Sequence, residues 1–280
     1  RAYNAAPEII SSDVIGSTLI ELAAMSNNQP IDERTQKALR RMPEGQVRKS
    51  IEWAIRRAAW SIADRNERTR GQVIHTGKAL ANQHNFLLND DFGRNAALSF
   101  TAPALWSDPA TDRMSQLDTW LELYATRNGG ERPGTILMSD AAFAAFARGA
   151  QFRTVLVGGA TRMPMAGEVN SIIEAAGYPT IEKYNRSTKS GLVLPKEWVY
   201  FLPEPTDPFD EDGSALGATF YGQTVTSESP EFELAPGEQP GVVVGVYRED
   251  RIPYTVEVMA DAVTLPVARD ANRAMAVKVL

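Results

Sequence analysis

Residues 106–140 read WSDPATDRMSQLDTWLELYATRNGGERPGTILMSD. Helix-start residues come first, and apolar residues then recur at helical spacing until Asn128-Gly129-Gly130. A short apolar run follows at residues 135–138, and Ser139-Asp140 then precede an alanine-rich segment. The stretch therefore predicts a helix over residues 112–128, a buried strand and a capped second helix, in that order.

A second helical pattern lies upstream, over residues 46–68, where isoleucine and alanine recur at helical spacing among charged residues. From residue 71 to residue 104 the pattern changes. Residues 73–76 and 98–101 have features of strands, and Asn89-Asp90-Asp91-Phe92-Gly93 is a strong turn signal. These features predict a long hairpin over residues 71–104. Because it has few large apolar residues, we expect it to lie on another surface.

Strand patterns dominate the rest of the chain, with one further helix predicted over residues 165–176. The chain is therefore predicted to be α+β, without internal repeats. Residues 203–213 are the best loop candidate, because they combine three prolines with acidic residues that include Asp207, Asp210 and Asp212.

The composition excludes several classes of protein. The chain has 280 residues and no cysteine, which excludes disulfides and thiolate metal sites and fits a reducing cytoplasm. Its uncharged runs are far shorter than the roughly 18–20 apolar residues that cross a bilayer, so no membrane-spanning segment is expected. The sequence starts at Arg1 without a visible secretory signal, and we expect that the chain was processed or that its first residues are missing.

Charge is unevenly spread along the chain. Residues 31–70 hold 11 Lys/Arg against 6 Asp/Glu, a local charge of +5, whereas the remainder holds 18 against 29, or −11. Arg48, Lys49, Arg56 and Arg57 therefore form a candidate basic patch, which suits non-specific contact with DNA, an acidic neighbouring subunit or a solvated helix face. No signature of sequence-specific nucleic-acid binding is present.

No pattern of residues indicates catalysis. His75 and His84 have no partners at metal-site spacing, so we expect them to be surface or packing residues and predict no metal. Phosphate-binding and nucleophile-elbow motifs are absent, and the carboxylate clusters lie in turn-like sequence. The sequence therefore predicts no cofactor and no enzymatic activity.

Several pieces of the chain, taken in their order and spacing, resemble one known family. They are Gly77–Leu80, Asp91–Gly93, Trp106–Pro109, Pro133–Ser139, Ile181–Asn185, Leu194-Pro195, Val199–Pro203, Ile252–Tyr254 and Leu265–Val267. Over residues 70–280 the chain is similar to the lambda-type major capsid proteins of tailed phages, which have the Hong Kong 97-type capsid fold. Asn185 departs from this pattern, since an Asp is more usual at its position.

The resemblance implies a division of the chain into parts. Residues 1–70 would be an N-terminal arm with a helix, and residues 71–104 the extension loop. Residues 105–139 and 250–280 would form the peripheral domain, with residues 112–128 as its spine helix. Residues 140–249 would form the axial domain.

The resemblance also implies a structural function. Copies of the chain would assemble into hexamers and pentamers of an icosahedral shell around double-stranded DNA, in the virion, after assembly in the host cytoplasm. Scaffold, portal and decoration proteins would be further partners, with no membrane involved. Extension-loop candidates for contact between subunits are Lys78, Asn89, Asp91, Phe92 and Arg94, and the acidic loop with Asp207, Asp210 and Asp212 would lie near the hexamer axis. No Asn is selected as a crosslinking partner for Lys78, so no covalent crosslink is expected.

Three alternatives remain at this point. One is a tail-tube or decoration protein, although such proteins are usually smaller and lack the order of hairpin and spine helix. An encapsulin-like nanocompartment shell would share the fold but enclose cargo proteins in place of DNA. An α+β enzyme that uses carboxylates is the third alternative, because the absence of a motif is weak evidence against catalysis.

Overall fold

The computed structural model of the chain describes residues 22–31, 33–39, 41, 43–83, 86–152, 165–206, 214–224, 241–248 and 256–280. Its α-helices are α1 (Glu33–Leu39), α2 (Glu44–Thr76), α3 (Arg113–Arg127), α4 (Asp140–Ala147) and α5 (Ala166–Ala175). The first strands are β1 (Ala23–Ile31), β2 (Lys78–Gln83), β3 (Phe86–Asp91), β4 (Ser99–Thr101), β5 (Thr135–Met138), β6 (Thr180–Lys183) and β7 (Ser187–Thr188). The remaining strands are β8 (Gly191–Leu192), β9 (Trp198–Leu202), β10 (Gly217–Gly222), β11 (Val243–Arg248), β12 (Val256–Ala268) and β13 (Met275–Lys278).

A four-stranded antiparallel sheet is organised around the long strand β12. On one side β12 pairs with β1, from Ala23 opposite Thr264 to Ile31 opposite Val256. On its other side it pairs with β10 and β11. Every strand of this sheet therefore depends on β12.

Helix α2 lies on this sheet and has 33 residues, a length of about 50 Å at 1.5 Å per residue. Ala58 and Ile62 are buried one helical turn apart and pack against Val258 and Ala260 of β12. Further along the same face, Thr264 Oγ1 donates a hydrogen bond of 3.0 Å to the buried Asn66 Oδ1. In this stretch of α2, polar groups therefore replace the apolar contact.

A five-stranded sheet, in the order β4-β13-β9-β5-β6, forms the second layer. Helices α3, α4 and α5 cover one of its faces, and their buried residues form the largest apolar cluster with the strands. Trp106, Trp120 and Phe146 stack at the centre, with ring centroids 5.1 to 6.0 Å apart. These large rings fix how α3 and α4 sit on the sheet.

The C-terminal end of α2 packs against the other face of the five-stranded sheet. Ile74 contacts a buried cluster that includes Tyr200 and Ala276. At Gly71 the helix passes so close to the segment around Val193 that an added Cβ atom would lie 2.5 Å from Val193 Cγ1. Helix α2 therefore joins the two sheets.

Four of the elements predicted from local patterns are confirmed. Helix α3 begins after Asp112, whose side chain accepts a hydrogen bond from the Ser115 N–H, and ends before Asn128. Strand β5 occupies the predicted residues 135–138, and Ser139 caps α4 by accepting from the Ala142 N–H. Helix α5 matches the prediction for residues 165–176 to within one residue at each end.

The hairpin prediction is wrong in three places. Residues 73–76 form the last turn of α2, because packing of Val73 and Ile74 against both sheets outweighs the strand preference of β-branched residues. The supposed turn Asn89-Asp90-Asp91 lies inside β3, and the strands of the hairpin are residues 78–83 and 86–91. Residues 99–101, the other predicted strand, pair instead with β13.

The expected domain boundaries do not coincide with the sheets. Strand β5, expected in the peripheral domain, pairs in parallel with β6, which was expected in the axial domain. The C-terminal segment is also divided, since β12 belongs to one sheet and β13 to the other.

Candidate assembly surfaces

One face of the β2–β3 hairpin is partly exposed to solvent, and its Leu80 also lines a cavity beside α2. Leu80 on β2 pairs with Asn89 on β3, and both are exposed. Leu87 lies two residues before Asn89, on the same face, and is 75% exposed. With Leu80 and Leu87 side by side, this face is partly apolar although it faces solvent.

The opposite face of the hairpin packs on the chain's own core. Ala79 and Leu88 are buried in a cluster with Val73 of α2 and Leu265 of β12, and Phe92 packs against the same cluster. The sequence predicts that the hairpin lies on another surface. On this face, that surface belongs to the same chain.

Lys78 and Asp91 form an ion pair across the base of the hairpin, with Nζ 2.7 Å from Oδ2. The hydrogen bond from Lys78, together with that from the Gly93 N–H, lowers the pKa of Asp91 from its usual value. Because both side chains are exposed, the pair contributes little to stability. It fixes the point where the hairpin leaves α2.

Arg94 has a role that the sequence did not indicate. Its guanidinium group donates four hydrogen bonds of 2.7 to 3.2 Å to backbone carbonyl groups, those of Val73, Ile74, His75 and Ala271. The first three lie in the last turn of α2, at the negative end of the helix dipole, where a cation is favoured. The Val73 carbonyl group also accepts a hydrogen bond from the Gly77 N–H. Burial lowers the pKa of Arg94 to about 10. Arg94 was expected to contact a neighbouring subunit, but its donors are used within this chain.

His75 lies where α2 meets the five-stranded sheet. Its Nδ1 atom is 3.1 Å from the Tyr200 hydroxyl group, and its ring meets Trp198 edge-on at 4.7 Å. Burial, and to a smaller extent the charge of Arg94, lower the pKa of His75. The histidine is therefore a packing residue, one of the two roles expected for it.

A second contact between α2 and the five-stranded layer is polar. The Tyr184 hydroxyl group donates a hydrogen bond to Glu67 Oε1, and Arg186 forms an ion pair of 3.2 Å with Asp64. Burial, with the hydrogen bond to Glu67, raises the pKa of Tyr184. No sequence motif pointed to these residues, because they are more than 115 positions apart along the chain.

The predicted basic patch lies on the N-terminal half of α2. Arg48, Lys49, Arg56 and Arg57 are all exposed. Arg48 forms an ion pair with Glu52 at 3.1 Å within the helix. The four cations therefore lie at the surface, with Arg48 already paired within the helix.

Two tryptophans on the same part of α2 were missed. Trp53 is 59% exposed and Trp60 is 62% exposed. Seven residues separate them, so they lie on one face of the helix, and the Arg57 guanidinium group lies 5.6 Å from the centre of the Trp53 ring. Their heptad spacing among Lys and Arg is the signal that could have identified them.

Asn185 forms two hydrogen bonds with Asp140, the first residue of α4. Its Oδ1 accepts from the Asp140 N–H at 3.0 Å, and its Nδ2 donates to Asp140 Oδ2 at 2.6 Å. An Asp at this position could not make the second bond. Asn185, the residue that departs from the pattern of the resembled family, therefore makes a hydrogen bond to Asp140 that an Asp could not make.

Other predicted residues cannot be placed. Asp207, Asp210 and Asp212 lie outside the described residues, as does His84. Among the residues that the structure describes, no group of three or more His, Cys, Asp or Glu is arranged to hold a metal ion. No helix in the described part of the chain has the length and apolar character needed to cross a membrane.

No protein-family model and no curated protein matches the sequence. Solved structures do match the fold. A prophage protein from E. coli CFT073, described as a capsid protein, has a TM-score of 0.63 at 14% identity, over 93% of this chain and 78% of that one. A phage-related protein from Bordetella bronchiseptica RB50 has a TM-score of 0.55 at 12% identity, over 91% of this chain and 74% of its own. The SrpI encapsulin from Synechococcus elongatus PCC 7942 has a TM-score of 0.46 at 13% identity, with 92% and 74% covered.

The superpositions cover 93% and 91% of the chain. They confirm the predicted α+β class and the resemblance in fold. The chain has the Hong Kong 97-type capsid fold.

Proposed function

We propose that this chain is the structural, non-enzymatic major shell subunit of a tailed bacteriophage. Copies assemble into hexamers and pentamers of an icosahedral shell that encloses double-stranded DNA. The observation that carries the proposal is the superposition of 93% of the chain on a prophage capsid protein at a TM-score of 0.63. Since a fold alone does not determine function, the exposed surfaces of the subunit provide further support.

Two exposed apolar features suit contact between copies. One is the outer face of the hairpin with Leu80 and Leu87, and the other is the pair Trp53 and Trp60 on α2. Tryptophan is enriched at the centres of protein interfaces, where its burial contributes much of the binding energy. In a shell each such contact is repeated many times, so modest single contacts add up to a stable assembly.

The sheets suggest a revised division of the subunit. We propose that α2, more than twice as long as α3, is the spine of the peripheral domain and that the four-stranded sheet completes that domain. The five-stranded sheet with α3, α4 and α5 then forms the axial domain. The extension loop is the hairpin of residues 78–91, which carries Lys78, Asn89 and Asp91.

The remaining partners follow from the proposed role. Scaffold and portal proteins would act during assembly in the host cytoplasm, decoration proteins would bind the finished virion, and the exposed cations on α2 would contact packaged DNA without sequence preference.

Electron microscopy tests the proposal directly. The chain is produced together with the scaffold and head proteins of its phage, and we expect icosahedral shells that contain DNA. A chain that stays monomeric under these conditions contradicts the shell function. Shells filled with a protein cargo and free of DNA contradict the phage role and indicate a nanocompartment.

The hairpin offers a residue-level test of the same proposal. Leu87→Asp should leave the free energy of unfolding within about 0.5 kcal/mol, because the side chain is exposed, yet it should prevent or weaken shell assembly. Met165→Asp is the matched control, since Met165 is also a largely exposed apolar residue, 68% exposed, and lies outside the hairpin, at the start of α5. Equal assembly of both variants would show that the outer face of the hairpin makes no contact that assembly needs.

A further inference from the structure

A groove runs along the flank of α2, between this helix and the β7–β8 turn. Two cavities of about 330 and 300 Å³ share Arg65 and Arg68 and together form it. We call it the α2 groove. One wall is α2 from Arg57 to His75, and the other is formed by residues 188–190 and 192–195.

The α2 groove is strongly basic. Four cations line it, namely Arg57, Arg65, Arg68 and Lys189. Asp64 is the one carboxylate in the lining, and it is already paired with Arg186 at 3.2 Å. Among the described residues, no carboxylate lies within ion-pair distance of the four cations, so their charge is available to a ligand.

Apolar side chains lie at both ends of the groove. Trp60 is 62% exposed at one end, and Leu80 and Leu192 are 38% and 47% exposed at the other. Trp and Arg together are typical of the energetic centres of protein–protein contacts, whereas DNA-binding surfaces are more polar. The lining therefore favours a protein ligand that carries carboxylates and apolar side chains.

The length of the groove sets the size of that ligand. From Arg57 to His75 the helix rises roughly 27 Å at 1.5 Å per residue. An extended segment of about eight residues, at 3.3 Å per residue, spans the same distance.

The chain itself contains a segment with the required chemistry. Residues 197–247 carry ten Asp/Glu and no Lys or Arg, together with Phe, Leu and Val. Glu197 and Glu204, its carboxylates in the described part of the chain, do not line the groove of their own chain. We propose that the α2 groove of one copy binds carboxylates of the acidic stretch 197–247 of a second copy, all ten of which lie outside the bounds of strands β9, β10 and β11.

This inference rests on the proposed shell function and adds a specific contact to it. A groove on one copy that takes a different segment of the next is a head-to-tail contact, and such contacts close into rings when the rotation between copies allows. Hexamers and pentamers are rings of this kind. The opposite charges would also guide the copies together during assembly.

Zero-length cross-linking in mixed particles tests the contact. Copies labelled with nitrogen-15 and unlabelled copies are assembled together and treated with a carbodiimide, which joins an amine to a carboxyl group in direct contact. Lys189 is the one lysine in the groove lining. We expect it to be joined to an Asp or Glu of residues 197–247 in peptides of mixed isotope, and the yield should fall in 1 M salt, where the Debye length is about 3 Å. Cross-links solely within single-isotope peptides, or none from Lys189, would overturn the proposal.

Charge reversal provides the second arm. Arg57→Glu with Lys189→Glu should reduce the yield of shells. The matched control, Arg132→Glu with Lys196→Glu, makes the same change in charge at exposed residues outside the groove and should assemble as the wild type does. If the groove variant assembles normally and loses only its DNA, the groove contacts nucleic acid and the proposal is wrong.

The two proposals fail in different ways. If the wild-type chain forms no shells, the shell function fails, and the cross-linking is then read on the soluble chain at high concentration. Mixed-isotope links from Lys189 would still support the groove, and their absence would overturn it. If shells form but Lys189 gives no such links, the shell function stands and the groove proposal falls.

Discussion

Gly77 and Arg94 approach each other so closely that a Cβ atom added to Gly77 would lie 2.7 Å from Arg94 Cβ. Gly77 also has a φ of 73°, in the left-handed region that ends many helices. Because Gly77 adopts the left-handed conformation and has no Cβ atom, the chain can turn from α2 into β2 beside Arg94, the arginine that caps the helix.

Gly77→Ala should lower the free energy of unfolding by more than the roughly 1–2 kcal/mol that a left-handed conformation costs a residue with a Cβ atom, because Arg94 must also move. Gly93→Ala is the control, since Gly93 has a φ of 71° but open space around it. Urea unfolding measures both variants. Equal losses would show that the contact with Arg94 contributes nothing.

Gly71 tests the junction between α2 and the five-stranded layer. A Cβ atom there would lie 2.5 Å from Val193 Cγ1 and 2.7 Å from the Val193 carbonyl oxygen, so Gly71→Ala should destabilise the chain by about 1–3 kcal/mol through overpacking. Gly45→Ala, in the same helix but with no atom within 4 Å of its Cβ position, should stabilise it by up to about 1 kcal/mol through helix propensity. Thermal unfolding that shifts both variants in the same direction would contradict the close approach at Val193.

His75 predicts a specific dependence of stability on pH. Its pKa in the folded chain lies below the usual 6.5, so the unfolded chain takes up a proton first as the pH falls. The unfolded state then binds more protons, and folding becomes less favourable as the pH drops below 6.5 toward the folded pKa. In urea unfolding at pH 7.5, 6.5 and 5.5, the wild type should lose more stability than His75→Gln does. Parallel pH profiles for the two proteins would contradict this role.

Asn185→Asp restores the residue more usual in the resembled family and should be unfavourable here. It replaces the amide that donates to Asp140 Oδ2 with a second carboxylate, and both side chains are exposed, so the cost should be at most about 1 kcal/mol. Asp140→Asn in the same background should recover the loss. A double variant no more stable than Asn185→Asp would show that the two side chains are not coupled.

Lys49→Glu with Arg56→Glu tests the contact with DNA apart from the α2 groove, which neither residue lines. The fold should be unaffected, because both side chains are exposed. If both residues contact phosphate, the plot of log affinity for duplex DNA against log salt concentration should become less steep, with the magnitude of its slope reduced by about 2. An unchanged slope would contradict the contact with DNA and favour contact between the patch and a neighbouring subunit.

Local sequence predicted part of this fold well. The caps Asp112 and Ser139 and the spacing within α3 involve residues a few positions apart, so periodicity and capping chemistry were sufficient. The end of α2 was misassigned because it depends on Arg94, 18 positions beyond Thr76, and on a sheet formed by the C-terminal segment.

The candidate surfaces likewise differ in whether the local sequence could predict them. The basic patch was predicted because charge is visible in sequence. The α2 groove was not predicted, since its second wall comes from residues 188–195, more than a hundred positions after α2. Exposure of Trp53 and Trp60 likewise required knowledge of which face of α2 the sheet covers.

The pairing of the last strands with the first ones determines when the subunit can fold. Strand β1 pairs with β12, and β4 pairs with β13 more than 170 residues later. Neither sheet can therefore close until β12 and β13 have been synthesised, and contacts this distant in sequence form slowly. If copies assemble as we propose, a chain still being synthesised cannot present completed surfaces to its neighbours, and we expect a product that lacks β12 and β13 to be excluded from the particle.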